Sequence, residues 1–243
     1  MTNEQNTTVD ALALAAHRDD IEITCGGLLI KLADKGYRTG IVDFTAGEMG
    51  TRGSAAEREA EAVAAAQIMN VAHRENLNMP DARLDNTLEN RLMVADVLRR
   101  LRPKLVILPH WEQRHPDHRV AGAIAYDACF LAGLKKLDLP GEPHRPHKIL
   151  YTAFFRQPPY SFIIDITQQF ERKNHAVAAY ATQFGTREQG TREIYAPGIS
   201  IYDLMDTEAQ QLGRLIRKRH AEAYVIKEAM EVDDPLTMSV ASI

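Results

Sequence analysis

A chain of 243 residues can bury a sizeable core, and its length favours one large domain over two small ones. Hydrophobic residues make up 45% and charged residues 26%, as in globular proteins, and a net charge of −4 argues against nucleic acid as the main partner, because phosphate binders usually carry a basic surplus. The two cysteines, Cys25 and Cys129, lack a paired spacing, so we expect no disulfide framework and a reducing compartment.

The first ten residues, MTNEQNTTVD, are polar and do not combine a basic segment with an apolar one. The apolar run that follows, over 11–16, is far too short to span a bilayer. We therefore expect a cytoplasmic protein with no membrane partner.

Strands and helices alternate over residues 1–135. The predicted order is a strand over 11–16, a helix over 20–36, a strand over 37–45, a helix from Ser54 to about Asn70, a strand over 74–79, a helix from Asn86 or Thr87 to about Arg102, a strand over 104–109 and a helix through about Leu134. Gly36 is predicted to end the first helix, and Ser54 with Glu57 has the spacing of a capping box. Repeated strand–loop–helix units predict a Rossmann-like parallel sheet with helices on both faces.

Residues 136–243 are predicted to complete the same single α/β domain. Strands are predicted over 149–155 and 161–166, followed by a helix near 167–183, a long loop over 184–200 and a last helix over about 201–222. Long loops of this kind are often functional. The basic cluster RKRH (217–220) is interpreted as the solvated face or C-terminal turn of the last helix, with an anion site as the alternative.

Two polar clusters share one pattern. HRDD (17–20) directly follows the first predicted strand, and HPDH (115–118) comes a few residues after the strand over 104–109. Open parallel sheets bind ligands at the carboxyl ends of their strands, where the strand order reverses. If the strand order is 3-2-1-4, these two strands are neighbours, and the crevice between them brings both clusters together.

The residue types in these clusters suit a metal-assisted amide hydrolase. Asp19 and Asp20 repel each other, and burial increases that repulsion, so a nearby positive charge is expected. Two imidazoles and one carboxylate are enough to hold a catalytic Zn²⁺ with an open position. A spare carboxylate could accept a proton from water whose pKa the ion lowers to roughly 7, and a spare imidazole could stabilise an oxyanion or protonate an amine. Each cluster alone is better explained as a polar loop or a helix N-cap, but their joint placement favours the metal.

Five sequence motifs carry a resemblance to a known family. They are AH-x-DD (16–20), GEMGTRG (47–53), LNMPDARL (77–84), RHPDH (114–118) and AYATQF (179–184). In these motifs, and in their order, the chain resembles the PIG-L/LmbE-type zinc-dependent N-deacetylases over nearly its whole length. The C-terminal stretch AYVIKEAMEVDDPL (223–236) is most similar to the bacillithiol biosynthesis deacetylase branch.

The resemblance implies a Rossmann-like fold and hydrolysis of the acetyl group from an N-acetylglucosaminyl conjugate. In the bacillithiol branch the substrate is N-acetyl-D-glucosaminyl L-malate. The implied metal ligands are His17, Asp20 and His118. Asp19 is the implied general base, His115 the implied oxyanion stabiliser or acid, and Asp117 the carboxylate that orients an imidazole.

The resemblance also implies contacts to the sugar hydroxyls or to the group attached to the sugar. The positions that match are Glu48, Arg52 and Asp81, and Arg114 is a second candidate for a contact to a malate carboxylate. An arginine suits a malate carboxylate, because its planar fork can form two parallel hydrogen bonds. Surface charge without a ligand is the alternative interpretation for Arg52 and Arg114.

Arg18 departs from the family pattern, which has proline at this position. A proline would fix φ at about −65°, whereas arginine leaves the backbone freer and adds a positive charge beside Asp19. An inward-pointing Arg18 would lower the pKa of Asp19 and weaken it as a base, whereas an outward-pointing Arg18 would have little effect.

Other functions stay open on the sequence. One is a deacetylase of another N-acetyl sugar, and one from a different class is a nucleotide-binding module, although no G-x-G-x-x-G follows the first strand. Histidine and aspartate ligands also suit Fe²⁺ or another divalent ion in place of Zn²⁺. We expect a small N-acetylglucosaminyl conjugate as the partner and, by analogy with the family, a homo-oligomer.

Overall fold

A computed structural model describes residues 8–153, 158–185 and 198–240 of the chain. Its central feature is a five-stranded parallel sheet in the order β3-β2-β1-β4-β5. The strands are β1 (Ala11–Ala15), β2 (Thr39–Thr45), β3 (His73–Met79), β4 (Leu105–Pro109) and β5 (Lys148–Thr152). The predicted fold class and the predicted neighbourhood of the first and fourth strands are therefore confirmed.

Helices cover both faces of this sheet. They are α1 (Asp20–Thr24), α2 (Gly26–Asp34), α3 (Ala55–Met69), α4 (Leu88–Leu101) and α5 (Pro116–Ala132). Alternate residues of β1 enter two separate hydrophobic clusters, Leu12 and Leu14 on the α4–α5 side and Ala13 and Ala15 on the α2–α3 side. Because both faces are buried, the strand reads as a continuous apolar run rather than an alternating one.

A second, two-stranded sheet lies beside the first. It consists of β6 (Phe162–Asp165) and β7 (Ala221–Tyr224), which pair antiparallel, and a bridge from Val225 to Tyr151 of β5 links the two sheets. The remaining elements are α6 (Phe170–Ala178), α7 (Ala181–Phe184), α8 (Ile201–Leu215) and a 3₁₀ turn (Pro235–Thr237).

Several helix boundaries follow from the capping residues that the sequence indicates. Ser54 and Glu57 form the predicted capping box at the start of α3, with both reciprocal hydrogen bonds present. Thr87 caps α4 through its hydroxyl, which accepts from the backbone N–H of Asn90 at 3.2 Å. Gly36 follows α2 with a φ of +86°, a left-handed conformation that glycine adopts without steric cost.

The predicted helix over 201–222 is wrong at its C-terminal end. Helix α8 stops at Leu215, and the chain turns back over it, with the N–H of Lys218 donating to the carbonyl of Gly213 at 2.8 Å. Arg217 has a φ of 57° in this turn, and His220 is buried and stacked on Phe170 at 3.9 Å. The basic cluster is therefore a turn that leads into β7, not a solvated helix face.

Two other predicted helices are each divided in two. The helix over 20–36 breaks at Cys25, where the buried carboxylate of Glu222 accepts hydrogen bonds from the N–H groups of Gly27 and Leu28, each at 2.8 Å. The helix over 167–183 breaks between α6 and α7 at Tyr180, which has a ψ of 59°. The carboxylate at the first break lies 195 residues from Gly27 in the chain, and at the second break the hydroxyl of Tyr180 itself donates to the carbonyl of Arg18.

Three further predictions have simple outcomes. Cys25 and Cys129 are free and buried, so they form no disulfide. Most of the predicted loop over 184–200, and residues 154–155 of a predicted strand, lie outside the described residues. Among the described residues, none of the helices combines the length and the apolarity that crossing a membrane requires.

Candidate functional site

Three side chains from the two polar clusters converge at the carboxyl ends of β1 and β4. His17 and Asp20 follow β1, and His118 lies in the first turn of α5. His118 Nε2 is 3.2 Å from His17 Nδ1 and 3.1 Å from Asp20 Oδ1, and His17 Nδ1 is 3.3 Å from Asp20 Oδ2. The donor atoms of this ligand trio all lie within 4.8 Å of one another, as the ligands of a single ion would.

The second nitrogen of His17 shows how the imidazole is oriented. His17 Nε2 lies 3.1 Å from Asp81 Oδ1, and a proton on Nε2 donates to that carboxylate. The lone pair of Nδ1 then faces Asp20 and His118, which is the arrangement that a metal-binding histidine needs. The donor set of two nitrogens and one carboxylate fits Zn²⁺ and other divalent ions with nitrogen and oxygen ligands.

The electrostatics of the ligand trio favour a positive charge at its centre. Burial alone lowers the pKa of His17, but Asp20, Asp81 and Asp19 together raise it to about 11. These carboxylates therefore favour a positive charge at His17, either as a proton on the imidazole or as a bound cation. Because metal ligands must be deprotonated, a divalent ion would displace that proton on binding.

Asp19 lies beside the ligand trio and has a cationic neighbour of its own. Its Oδ2 is 3.4 Å from a guanidinium nitrogen of Arg58, and its side chain is 15% exposed. Burial raises the pKa of Asp19, Arg58 lowers it and Asp20 raises it again, so that its pKa stays above the ordinary value of an aspartate. A raised pKa makes a carboxylate a better proton acceptor near neutral pH.

Arg18 does not point at Asp19. Its guanidinium donates to the carbonyl of Ala55 at 2.9 Å and lies 3.6 Å from the carboxylate of Glu59, both at the start of α3. Arg58 therefore supplies the positive charge that contacts Asp19. The departure from the family's proline leaves the carboxylates of the HRDD turn without a direct contact to Arg18.

Hydrogen bonds from a buried charge cluster around Arg74 hold the backbone of the HRDD turn in place. The carbonyl of Arg18 accepts from Arg74 at 2.5 Å and from the hydroxyl of Tyr180. Arg74 also pairs with both oxygens of Asp43, at 2.8 and 3.0 Å, and with Glu22 at 2.5 Å. Burial raises the pKa of Glu22 to about 7, although Arg74 lowers it.

Sequence reasoning missed the residues of this cluster and Arg58. The available signal was a charged residue inside a buried element, since Asp43 interrupts an apolar strand and Glu22 lies on an otherwise apolar helical face. Buried charges are paired in folded proteins, so each of them required a partner. Which partner it was could not be read from the sequence, because Arg74 and Tyr180 come from other elements.

His115 and Asp117 flank the ligand trio. The His115 ring packs edge-on against that of His17, with centroids 4.9 Å apart, and its Nδ1 accepts from the N–H of Asp117 at 3.2 Å. Burial, His17 and His118 all lower the pKa of His115. Asp117 Oδ2 accepts from the N–H of Ala82 at 2.8 Å and lies 3.7 Å from His17 Nε2.

The residues with implied substrate contacts are placed differently from one another. Asp81 lies against His17, and the hydrogen bond from that histidine lowers the pKa of Asp81 to about 2. Glu48 is exposed and accepts from the N–H of Asp81 at 2.8 Å. Arg52 is also exposed and donates to the carbonyl of Gln183 at 3.0 Å. Arg114, likewise exposed, lines a recess that borders His118.

Comparisons with known proteins agree with this geometry. The family model for GlcNAc-PI de-N-acetylase, PIG-L, matches residues 12–129, which contain both polar clusters. The diacetylchitobiose deacetylase of Thermococcus kodakarensis is 31% identical over 210 residues, covering 81% of this chain and 78% of the relative. The 4-oxalmesaconate hydratase of Pseudomonas putida is 28% identical over 213 residues, covering 78% of this chain and 80% of the relative.

A solved structure supports the same relationship. The conserved protein TT1542 from Thermus thermophilus aligns with a TM-score of 0.84 at 34% identity, covering 93% of this chain and 98% of that one. The match thus extends through the second sheet and the C-terminal helices. With the fold, the ligand trio and these similarities together, the chain belongs to the PIG-L/LmbE-like deacetylase family.

Proposed function

We propose that this protein hydrolyses the N-acetyl group of a glucosaminyl conjugate, with N-acetyl-D-glucosaminyl L-malate as the specific substrate. In this proposal His17, Asp20 and His118 hold a divalent ion, Zn²⁺ in the first instance, and Asp19 is the general base. The observation that carries it is the position of Asp19 next to the ligand trio, partly buried and in contact with Arg58 at 3.4 Å.

The bound ion would polarise the acyl carbonyl and lower the pKa of water. Asp19 accepts the proton of the attacking water and can pass it to the leaving amine. His115 has a defined tautomer, because its Nδ1 accepts from the backbone N–H of Asp117 and a neutral ring then carries its proton on Nε2. Its lowered pKa favours this neutral form, which can donate to the developing oxyanion.

The substrate residues have separate tasks in the proposal. Asp81 orients His17 through the contact of its Oδ1 with His17 Nε2 at 3.1 Å. The backbone N–H of Asp81 donates to Glu48, which lies in an exposed loop. Glu48 is proposed to accept from sugar hydroxyls, and Arg52 to pair with a malate carboxylate, with Arg114 as the second candidate for that contact. We infer that the enzyme works as a homo-oligomer in the cytoplasm and has no nucleic-acid partner, consistent with its net charge of −4.

The deciding experiment measures bound metal and acetate release in parallel. Wild type, Asp19→Asn and Asp19→Ala are assayed with the malate conjugate and with free N-acetylglucosamine. We expect both variants to keep the metal and to lose about 10²–10⁴-fold in kcat, the usual contribution of a general base. Asp96→Asn, at a half-buried position of α4 whose carboxylate pairs with Arg100, is the matched control with unchanged activity.

The outcomes separate the competing functions. Normal acetate release by Asp19→Ala would overturn the proposed mechanism. Turnover of free N-acetylglucosamine in preference to the conjugate would indicate a deacetylase of another sugar. Hydration of a small unsaturated acid without acetate release would indicate the chemistry of the hydratase relative, and a nucleotide-induced rise in melting temperature in metal-free protein would indicate a nucleotide-binding module.

A further inference from the structure

We propose that the recess beside Asp20 and His118 receives the acyl group of the substrate, and that it accepts acyl chains longer than acetyl. This inference rests on the proposed function and specifies its substrate class. The recess has a cavity volume of about 100 Å³ and is partly open to solvent. It begins at the ligand trio, so an amide whose carbonyl reaches the ion can direct its acyl chain into it.

The wall of the recess is chemically apolar. Leu14, Ile21, Ile23 and Pro109 contribute hydrocarbon surface. Three of its polar side chains direct their donors at the protein's own backbone, and Arg114, which also lines the recess, is exposed. An apolar chain gains free energy by leaving water for such a surface, whereas a sugar hydroxyl would lose hydrogen bonds to water without replacing them.

Three polar residues of the wall are engaged in this way. The hydroxyl of Thr24 donates to the carbonyl of Asp20 at 2.7 Å, and the hydroxyl of Thr152 to the carbonyl of Thr24 at 3.4 Å. The amide of the buried Gln113 donates to the carbonyl of Thr152 at 3.1 Å. These bonds also tie α1 to β5, so the recess has a wall that is already ordered before any ligand binds.

The opposite side of the His17 ring is polar and open to solvent, as a binding site for sugar hydroxyls requires. His17 Nε2 faces Asp81, whose other oxygen accepts from the N–H of Met49 at 2.9 Å. Glu48 and Met49 are exposed, and this loop is polar and open to solvent. The two nitrogens of one imidazole therefore face different surroundings: a polar side suited to the sugar, and a recess with mostly hydrocarbon walls suited to the acyl group.

The first test uses the carboxylic acid products as inhibitors of the wild-type, metal-loaded enzyme. If the recess buries each added methylene, affinity should rise up to ~4-fold per methylene from acetate to propionate to butyrate, which corresponds to ~0.8 kcal/mol per CH₂. The rise in melting temperature at equal acid concentration should follow the same order. Equal inhibition by the three acids, or weaker inhibition by butyrate, would overturn the proposal.

The second test compares deacylation of N-acetyl and N-butyryl forms of the same glucosaminyl conjugate. We expect the butyryl form to be turned over, Ile23→Phe to lower the ratio of butyryl to acetyl turnover, and Ile23→Ala to raise it. Val63→Phe, which adds similar bulk at an exposed position of α3, should leave the ratio unchanged. Turnover of the acetyl form without any turnover of the butyryl form would refute the proposal that the recess accepts longer acyl chains, and would leave the proposed function standing. If metal-loaded protein turned over neither form, the proposed function itself would be refuted.

Discussion

Two clusters of buried or partly buried carboxylates in this protein, one at the ligand trio and one at Glu222, differ in the positive charge that faces them. At the ligand trio, His17 and His118 face the carboxylate of Asp20. In the described part of the chain, the ion pairs of Asp20, Asp81 and Asp117 are all made with histidines, which carry a charge only when protonated. The cluster therefore gathers negative charge without a permanent cation.

The second cluster is centred on Glu222, and a cation of the chain balances the charge of its carboxylate. The carboxylate of Glu222 accepts from Lys173 at 2.7 Å, from the hydroxyl of Tyr224 at 2.7 Å and from two backbone N–H groups at the start of α2. The helix dipole adds further positive potential at that place. Glu222 thus has charged and neutral donors from three separate elements of the fold.

The difference between the clusters is whether the chain supplies its own cation. Where Lys173 and a helix N-terminus do so, the buried carboxylate holds elements together. Where the chain supplies imidazoles instead, a divalent ion can complete the charge balance and an open coordination position remains for chemistry. Four substitutions test this distinction, in order of decreasing expected effect.

Asp20→Asn should remove metal binding. The amide lacks the negative charge that the ion requires, and even the loss of residues that only orient metal ligands lowers affinity by about 10–100-fold. Metal content after dialysis measures the effect, and acetate release should fall with it. Circular dichroism should show a native fold, because the variant also relieves the repulsion between Asp19 and Asp20. An Asp20→Asn protein that keeps stoichiometric metal would contradict the ligand assignment.

Lys173→Met should destabilise the fold and spare the metal. It leaves the buried carboxylate of Glu222 without its cation, a change that typically costs about 3–5 kcal/mol of unfolding free energy. Urea denaturation measures the loss. The double variant Lys173→Met/Glu222→Gln should recover part of it, because the uncompensated charge is gone. Equal stability of the single variant and wild type would show that Glu222 needs no cation.

Glu208→Gln should change how stability depends on pH. Glu208 lines the same cavity as Lys173 and Glu222, and burial raises its pKa to about 7, with Lys173 lowering it and Glu222 raising it. The folded pKa exceeds the unfolded one, so the stability from this group is fully present below about pH 4.5 and is lost as the pH rises through about 7. The melting temperature of the variant, relative to wild type, should therefore be higher at about pH 8 than at about pH 5.

The matched control for that pH experiment is Glu231→Gln, an exposed position in the C-terminal segment. It should show the same difference from wild type at both pH values. A Glu208→Gln protein that behaves like this control would mean that Glu208 titrates as an ordinary surface carboxylate.

Arg18→Pro should have the smallest effect on the site. The Arg18 side chain contacts Ala55 and Glu59, not the ligand trio, so metal content should equal that of wild type. A modest loss of melting temperature is expected, because the hydrogen bond to Ala55 disappears. A variant that no longer binds metal would show that the side chain at this position supports the HRDD turn after all.

The parallel sheet and the approximate place of the site could be predicted from the amino-acid sequence. Continuous apolar runs marked β1 and β4, and local capping residues such as Ser54 marked helix ends, because these signals act between near neighbours in the chain. The two polar clusters could be predicted to meet, because parallel strands end at one edge of a sheet. The individual roles of the site residues stay predictions.

The features that depend on partners distant in the chain became visible in the folded structure alone. Strand β7 follows α8 after a turn with no distinctive local signal, and its Glu222 breaks the predicted first helix at Cys25, almost 200 residues earlier in the chain. In the same way, the cation beside Asp19 is Arg58 of α3 rather than the adjacent Arg18. Charges pair across space at distances of a few ångströms, so the partner of a buried charge is decided by packing rather than by its neighbours in sequence.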